Sequence, residues 1–162
     1  MPHLGPVTPQ REALGVAGAF LVRFPAIAYN DSVLYETHRD GWVGLFEEPI
    51  EHLYHVRTRR GVVRSWGRHA RTTDRYVAML GVIEVALFDA RPSSDSRGAL
   101  AVVQLDSDVG MGLRIPPGVW HTFRSATEHA LLLNSKTPPY DPEQVDKELL
   151  PMPHESIPFQ WS

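Results

Sequence analysis

Cysteine is absent from the 162 residues. That excludes disulfides and thiolate metal sites, and it suits a reducing compartment without requiring one. A dominant charge is also missing, since 16 Lys and Arg stand against 19 Asp and Glu for a formal net charge of -3. Such a balance gives no global attraction to nucleic acid or to an anionic membrane, so an anionic ligand must be met by locally placed arginines. No apolar run is long. The stretch Ala13 to Val22 is interrupted by glycines and is too short to span a bilayer, and MPHLGPVTPQ lacks the basic start of a signal peptide. A cytoplasmic protein with neither a membrane nor a nucleic-acid partner is expected. With 43% hydrophobic residues, the length suffices for one well-buried core and is too short for two comfortable domains.

What is plentiful is punctuation. Fourteen prolines and twelve glycines are spread along the chain between short runs rich in Val, Leu, Ile, Tyr and Phe, the pattern of an all-β domain with frequent turns. Strands are predicted over 41–46, 50–58, 61–65, 75–80, 82–89, 99–105, 112–115, 120–125 and 129–135. In VIEVALFD, Ile83, Val85 and Leu87 alternate with Glu84, Ala86 and Phe88. The polar ARPSSDSRG, 90–98, reads as an exposed loop. One helix is predicted over 142–149, capped by Asp141 with Pro142 at its first position. A single domain over 1–162 is expected, with an N-terminal extension and first strands over 1–40, a barrel over 41–135, and a tail over 136–162 that packs on the barrel or on a partner subunit.

Two segments carry a recurrent spacing. In the first, Gly61 is followed by five residues, then Gly67-Arg68-His69, four residues, Asp74, six residues and Gly81. In the second, Gly110 is followed by five residues, Pro116-Pro117-Gly118, two residues and His121. Together they resemble the two motifs of the cupin superfamily, with Gly67 where the first motif has a histidine. The resemblance implies a cupin-type double-stranded β-helix, a jelly-roll barrel with little helix. It also raises a metal-dependent alternative, an oxygenase or isomerase in which His69, Asp74 and His121 hold a divalent metal such as iron.

From Arg57 onward the chain is similar to the dTDP-4-dehydrorhamnose 3,5-epimerases and the related nucleotide-sugar 3,4-ketoisomerases. The residues that carry the likeness are GVVRSWGRH (61–69), LFDARPSSDSRG (87–98), RIPPGVWHTF (114–123) and NSKTPPYDPE (134–143). That resemblance implies a homodimer that binds a dTDP-linked sugar in the barrel without metal or organic cofactor, and that acts on a dTDP-4-keto-6-deoxyhexose by removing a proton next to the carbonyl. Three catalytic positions depart from the epimerase pattern. The histidine base falls on Gly67, the lysine on Asp74 and the tyrosine on Leu133. Arg64 and His121 are retained, and His69 matches the second histidine of the ketoisomerases.

On this reading His69 is the principal acid and base, His121 its partner or the carbonyl polariser, and Asp74 or His121 the group that sets its tautomer. Arg64 is expected to meet the diphosphate, the competing possibility being a salt bridge to Asp74 or Glu84. Tyr76 offers a phenol, and Trp66 and Tyr140 offer rings to stack on base or sugar, each also able to serve in packing. His52 and Tyr54 share one face of their strand, His55 and Arg57 the other. A barrel that binds a sugar nucleotide without turning it over is the remaining alternative, motivated by the three missing groups.

Overall fold

The computed structural model describes residues 9–39, 45, 47–139 and 141–162. Among them are thirteen strands and no helix. In chain order they are β1 (Gln10–Ala13), β2 (Phe20–Arg23), β3 (Ala26–Tyr29), β4 (Ser32–Tyr35), β5 (His52–Arg59), β6 (Trp66–His69), β7 (Thr73–Leu80), β8 (Val82–Asp89), β9 (Leu100–Asp106), β10 (Met111–Ile115), β11 (Val119–Ser125), β12 (His129–Thr137) and β13 (Lys147–Leu150). The strands form a six-stranded sheet ordered β1-β2-β10-β7-β12-β5, a five-stranded sheet ordered β13-β6-β11-β8-β9, and the hairpin β3-β4. This interleaved antiparallel order is that of the jelly-roll, the cupin-type double-stranded β-helix expected from the motifs.

Alternation decides which side chains fill the barrel. Ile83, Val85 and Leu87 of β8 join Leu113 and Ile115 of β10, Phe123 of β11 and Leu132 of β12 in the central core. Ala86 and Phe88 point the other way and pack with Trp66, Trp120 and Ile157, with Phe159 and Trp161 against them. The C-terminal tail therefore covers the outer face of the five-stranded sheet. A third cluster, Val22, Phe24, Leu45 and Val77 with Leu133 beside it, belongs to the six-stranded sheet. Each fully buried aliphatic side chain contributes about 1.5–3 kcal/mol relative to exposure.

Motif glycines turn the chain at the corners. Gly81, between β7 and β8, has φ +71°, and an added Cβ there would collide with Thr127 and the His129 carbonyl. Gly118, before β11, has φ +82° and lies against the Arg91 side chain. Only glycine adopts that backbone region at no steric cost.

The structure departs from the sequence reading in several places. Residues 142–149 form no helix; Lys147–Leu150 instead pair antiparallel with β6, Lys147 opposite His69 and Leu149 opposite Gly67. An isolated eight-residue helix is marginal, whereas a sheet edge offers ready partners for the backbone. Residues 61–65 are not a strand. After the Gly61 turn they touch the barrel through a single bridge, Val63 to Arg124, and the Arg64 amide donates to the Phe123 carbonyl, so the strand begins at Trp66. The barrel also extends beyond 41–135, because β2 pairs with β10 and β13 with β6. Of the expected strand 41–46, all but Leu45 lies outside the described residues. No helix among the described residues is long and apolar enough to cross a membrane.

Candidate active site

Strand alternation aims one set of polar residues into the barrel. On β6, Gly67 and His69 face inward while Trp66 and Arg68 face out. Trp66 is buried in the outer cluster with its ring edge-on to Phe159, 6.0 Å between centroids, and Arg68 lies over Trp120 and pairs with Glu148. Trp66 is therefore packing and lines neither chamber of the cavity, a correction that follows from its position three residues before an inward histidine. On β5, His52, Tyr54 and Val56 are the partly buried members of an alternating strand and line the cavity, while His55 and Arg57 are exposed.

The cavity has two chambers. The outer one, about 550 Å³, is lined by His52, His69, Lys136 and Asp146 among others. The inner one, about 70 Å³, is lined by Arg64, Gly67, Tyr76, His121 and Asn134 among others. Tyr54 and Lys147 line both.

Between the chambers lies a tight cluster of titratable groups. Asp74 is buried at its centre, with Oδ2 3.7 Å from His69 Nε2 and 3.6 Å from His121 Nε2, and Oδ1 3.2 Å from Lys136 Nζ. Asn134 Nδ2 donates to Asp74 Oδ1 at 2.7 Å and to the Tyr54 hydroxyl at 2.8 Å. Burial pushes the Asp74 carboxyl up, but His121, Lys136, His69 and the Asn134 hydrogen bond outweigh it and leave the group below the ordinary carboxylate range.

The histidines are both held towards the neutral form. Burial, with Lys136, His121 and Lys147, lowers His69 to about 4 against the pull of Asp74. Burial likewise lowers His121. Lys136 Nζ donates to His69 Nε2 at 2.9 Å, so Nε2 carries the lone pair and the neutral ring is protonated at Nδ1. The group in hydrogen-bond contact with the His69 ring is thus Lys136, rather than Asp74 or His121 as expected. His69 Nδ1 is buried without a hydrogen-bond partner, and Asp146 Oδ2 stands 3.8 Å away. In His121, Nδ1 donates to the Val119 carbonyl at 3.1 Å.

The remaining candidates are scattered more widely. Arg64 lines the inner chamber from an exposed position, with its guanidinium 5.8 Å from the Phe123 ring. It has no ion pair among the described residues. Glu84 pairs with Arg124 and Asp74 with Lys136. Tyr76 is buried on the inner chamber, edge-on to His121 and Phe123, and burial with Asp74 raises its phenol well above 10. Tyr140 lies outside the described residues.

Sequence reasoning missed Lys136, Lys147, Asn134 and Asp146. Lys136 could have been found by alternation, since it shares an inward face with Asn134 two residues earlier. Lys147 could not, because the segment read as helical. Asp146 accepts from the amides of Ala70, Arg71 and Thr72 and from the Thr72 hydroxyl, which fixes the β6–β7 loop to the start of β13.

The metal alternative does not fit this donor set. Among the described residues no three His, Cys, Asp or Glu side chains group so as to hold a metal ion. The Lys136 ammonium already occupies the space between His69 Nε2 and Asp74 Oδ1. A cation there would have to displace another cation.

A jelly-roll barrel with neutral imidazoles, amines and a phenol around an inner chamber is equipped for proton transfer to and from a bound small molecule. Residues 15–161 match the family model described as dTDP-4-dehydrorhamnose 3,5-epimerase. The chain is 34% identical over 131 residues to the "Probable low-salt glycan biosynthesis epimerase Agl13" of Haloferax volcanii, covering 80% of this chain and 83% of that one. It is 32% identical over 103 residues to the spore coat polysaccharide biosynthesis protein SpsL of Bacillus subtilis, covering 63% of this chain and 68% of that one. Among solved structures, a dTDP sugar isomerase from Desulfovibrio desulfuricans G20 superposes with TM-score 0.84 at 30% identity, over 93% of this chain and 94% of that one. A dTDP-4-dehydrorhamnose 3,5-epimerase from Bacillus anthracis str. Ames shares the fold, with TM-score 0.83 at 14% identity over 95% of this chain and 90% of that one. The chain belongs to the dTDP-4-dehydrorhamnose 3,5-epimerase family, and it is an enzyme of the sugar-nucleotide epimerase and isomerase class.

Proposed function

We propose that the protein acts on a dTDP-linked 4-keto-6-deoxyhexose, removing a proton from a carbon next to the carbonyl and returning it to give an epimer or a shifted ketone. The observation that carries this reading is the cluster of His69, Lys136, Asp74 and His121 between two chambers, which puts neutral bases beside ammonium and phenol donors. His69 is the principal acid and base. Its Nδ1 gives a proton while Lys136 resupplies Nε2; in the reverse direction Nδ1 takes a proton from carbon while Nε2 returns one to the neutral Lys136 amine. His121 polarises the carbonyl or partners His69, and Asp74 balances the charge of the group. Negative charge developing on the carbonyl oxygen is met by Lys136 and by the Tyr54 and Tyr76 hydroxyls. Arg64, at the inner chamber and free of an ion pair among the described residues, contacts the diphosphate. No step needs a metal or an organic cofactor. The working form is a homodimer in the cytoplasm.

The test is NMR of dTDP-4-keto-6-deoxyglucose incubated with the protein in deuterated water. Deuterium entering C3 or C5 of the 4-ketone, or C4 of a 3-ketone product, supports the reading, and the labelled carbon together with the product names the reaction. Tight binding with neither exchange nor turnover, the behaviour of a non-catalytic binder, overturns it.

A further inference from the structure

Epimerisation and keto-shift both move a proton on and off carbon, and epimerisation needs a group on each face of the sugar. The cluster around Asp74 supplies one such group in His69. It also engages much of what it contains, because Lys136 donates to His69 Nε2 and the Val119 carbonyl takes His121 Nδ1. We propose that Lys147 is a second proton-transfer group, its amine lying over the space left open by Gly67. This rests on the preceding reading of the cavity as a site of proton transfer at carbon.

A lysine on an edge strand is ordinarily a solvated charge. Four observations set Lys147 apart. It stands directly opposite His69 in the β13–β6 register, so its side chain leaves the sheet on the cavity face. Its Cε lies 3.4 Å from the point where a Cβ on Gly67 would be; a methyl there would just touch it, and any longer side chain would claim the same space. It lines both chambers, a property it shares only with Tyr54 among the described residues. And its ammonium makes no hydrogen bond or ion pair among the described residues, whereas that of Lys136 makes both.

The surroundings also favour an amine that gives up its proton. Lys147 keeps an exposed side to solvent; desolvation of the rest, with Lys136 and Arg64, lowers its pKa, against Asp74, which raises it. The other titratable groups around the two chambers are His52 and Tyr54 on β5, Arg64 before β6, His69 on β6, Asp74 and Tyr76 on β7, His121 on β11, Lys136 on β12, and Asp146 beside Lys147, with Arg71 and Asp141 at the outer chamber. In the step itself, the lone pair of the neutral amine forms the new N–H bond while the C–H bond breaks. The C–H electron pair passes into an enolate whose charge rests on the former carbonyl oxygen. The proton then returns to carbon from this ammonium or from another donor of the cavity, so nothing is oxidised or reduced and no co-reactant is consumed.

The absence of native cysteine makes a specific test available. In Lys147→Cys the introduced thiol is the only one, and alkylation with 2-bromoethylamine rebuilds an amine of nearly lysine length at that one position. Deuterium exchange into dTDP-4-keto-6-deoxyglucose is followed by NMR across pH, with dTDP affinity by calorimetry as the check on folding. Lys147→Cys is expected to lose exchange by about 10²–10⁴-fold while binding dTDP nearly as wild type, and alkylation to restore it. The restored profile should rise at lower pH than wild type, because the thioether makes the amine less basic. Gly67→His combined with Lys147→Ala, which empties the space of the lysine chain, is expected to recover exchange with a profile typical of imidazole. Exchange by Lys147→Cys at the wild-type rate overturns the proposal, as does failure of alkylation to restore exchange in a variant that still binds dTDP. Loss of dTDP binding together with exchange also overturns it, since that would make Lys147 a ligand contact. In all three cases wild-type exchange leaves the proposed function standing; absence of exchange in the wild type removes both.

Discussion

His69 sits in a setting that keeps it uncharged while placing charges all around it, and this couples its chemistry to acid stability. Its folded-state pKa of about 4 lies below the ordinary 6.5. Between those values the unfolded chain binds the extra proton, so stability is fully present above about pH 6.5 and is lost as pH falls towards 4, by about 3 kcal/mol from this group alone. Urea unfolding of His69→Gln at a series of pH values should show a shallower acid slope than wild type, and the same variant should exchange sugar protons about 10²–10⁴-fold more slowly. Trp66→Ala is expected to do the reverse, costing about 3–5 kcal/mol of stability by denaturant titration while leaving dTDP affinity unchanged, because the indole fills the outer cluster. At this scale the inward histidines and Asp74 were legible from the motif spacing. What was not legible is that, on the proposed function, side chains from neighbouring strands stand beside the three positions where the resemblance leaves a group missing. Asp74 stands where the lysine belongs, and Lys136 is its register partner on β12. Leu133 stands where the resemblance places the tyrosine but faces the cluster of Val22, Phe24, Leu45 and Val77, while its neighbour Asn134 is paired with Tyr54 on β5 and bonded to its hydroxyl. Gly67 stands where the base belongs, and Lys147 on β13 leans over it. Spacing along one chain segment cannot report on a group supplied across a sheet.

β13 is the element on which the sequence reading turned. Acid and proline before an apolar pair look like a capped helix start, yet Lys147–Leu150 gain a full antiparallel pairing with β6 and extend the five-stranded sheet by its last strand. Asp146 holds that arrangement by accepting from four donors of residues 70–72. Asp146→Ala leaves those groups unpaired and should cost about 1–3 kcal/mol in thermal or denaturant unfolding, with faster amide exchange in β6 and β13 than elsewhere in the barrel. By contrast β8, a largely apolar eight-residue run buried on both faces from Val85 onward, was read with its observed limits, Val82–Asp89. A run of that length rich in β-formers between turn residues marks a strand; a short edge strand carries too few residues to do so.

For the whole molecule, the jelly-roll was legible because two turn-rich motifs in register constrain the topology more than any single strand does. The strands of the first forty residues were less so, since β1 and β2 are four residues each and owe their place to pairing with β10. The proposed homodimer makes a separate expectation: sedimentation equilibrium at micromolar concentration should return twice the 18.2 kDa chain mass, and a monomer would remove the dimer from this account. The central claim, proton transfer at carbon in this cavity, is tested most directly by wild-type protein and dTDP-4-keto-6-deoxyglucose in deuterated water. The account expects deuterium at a carbon next to the ketone, entering with an enzyme-dependent rate. A sugar that binds and keeps every C–H proton would contradict it.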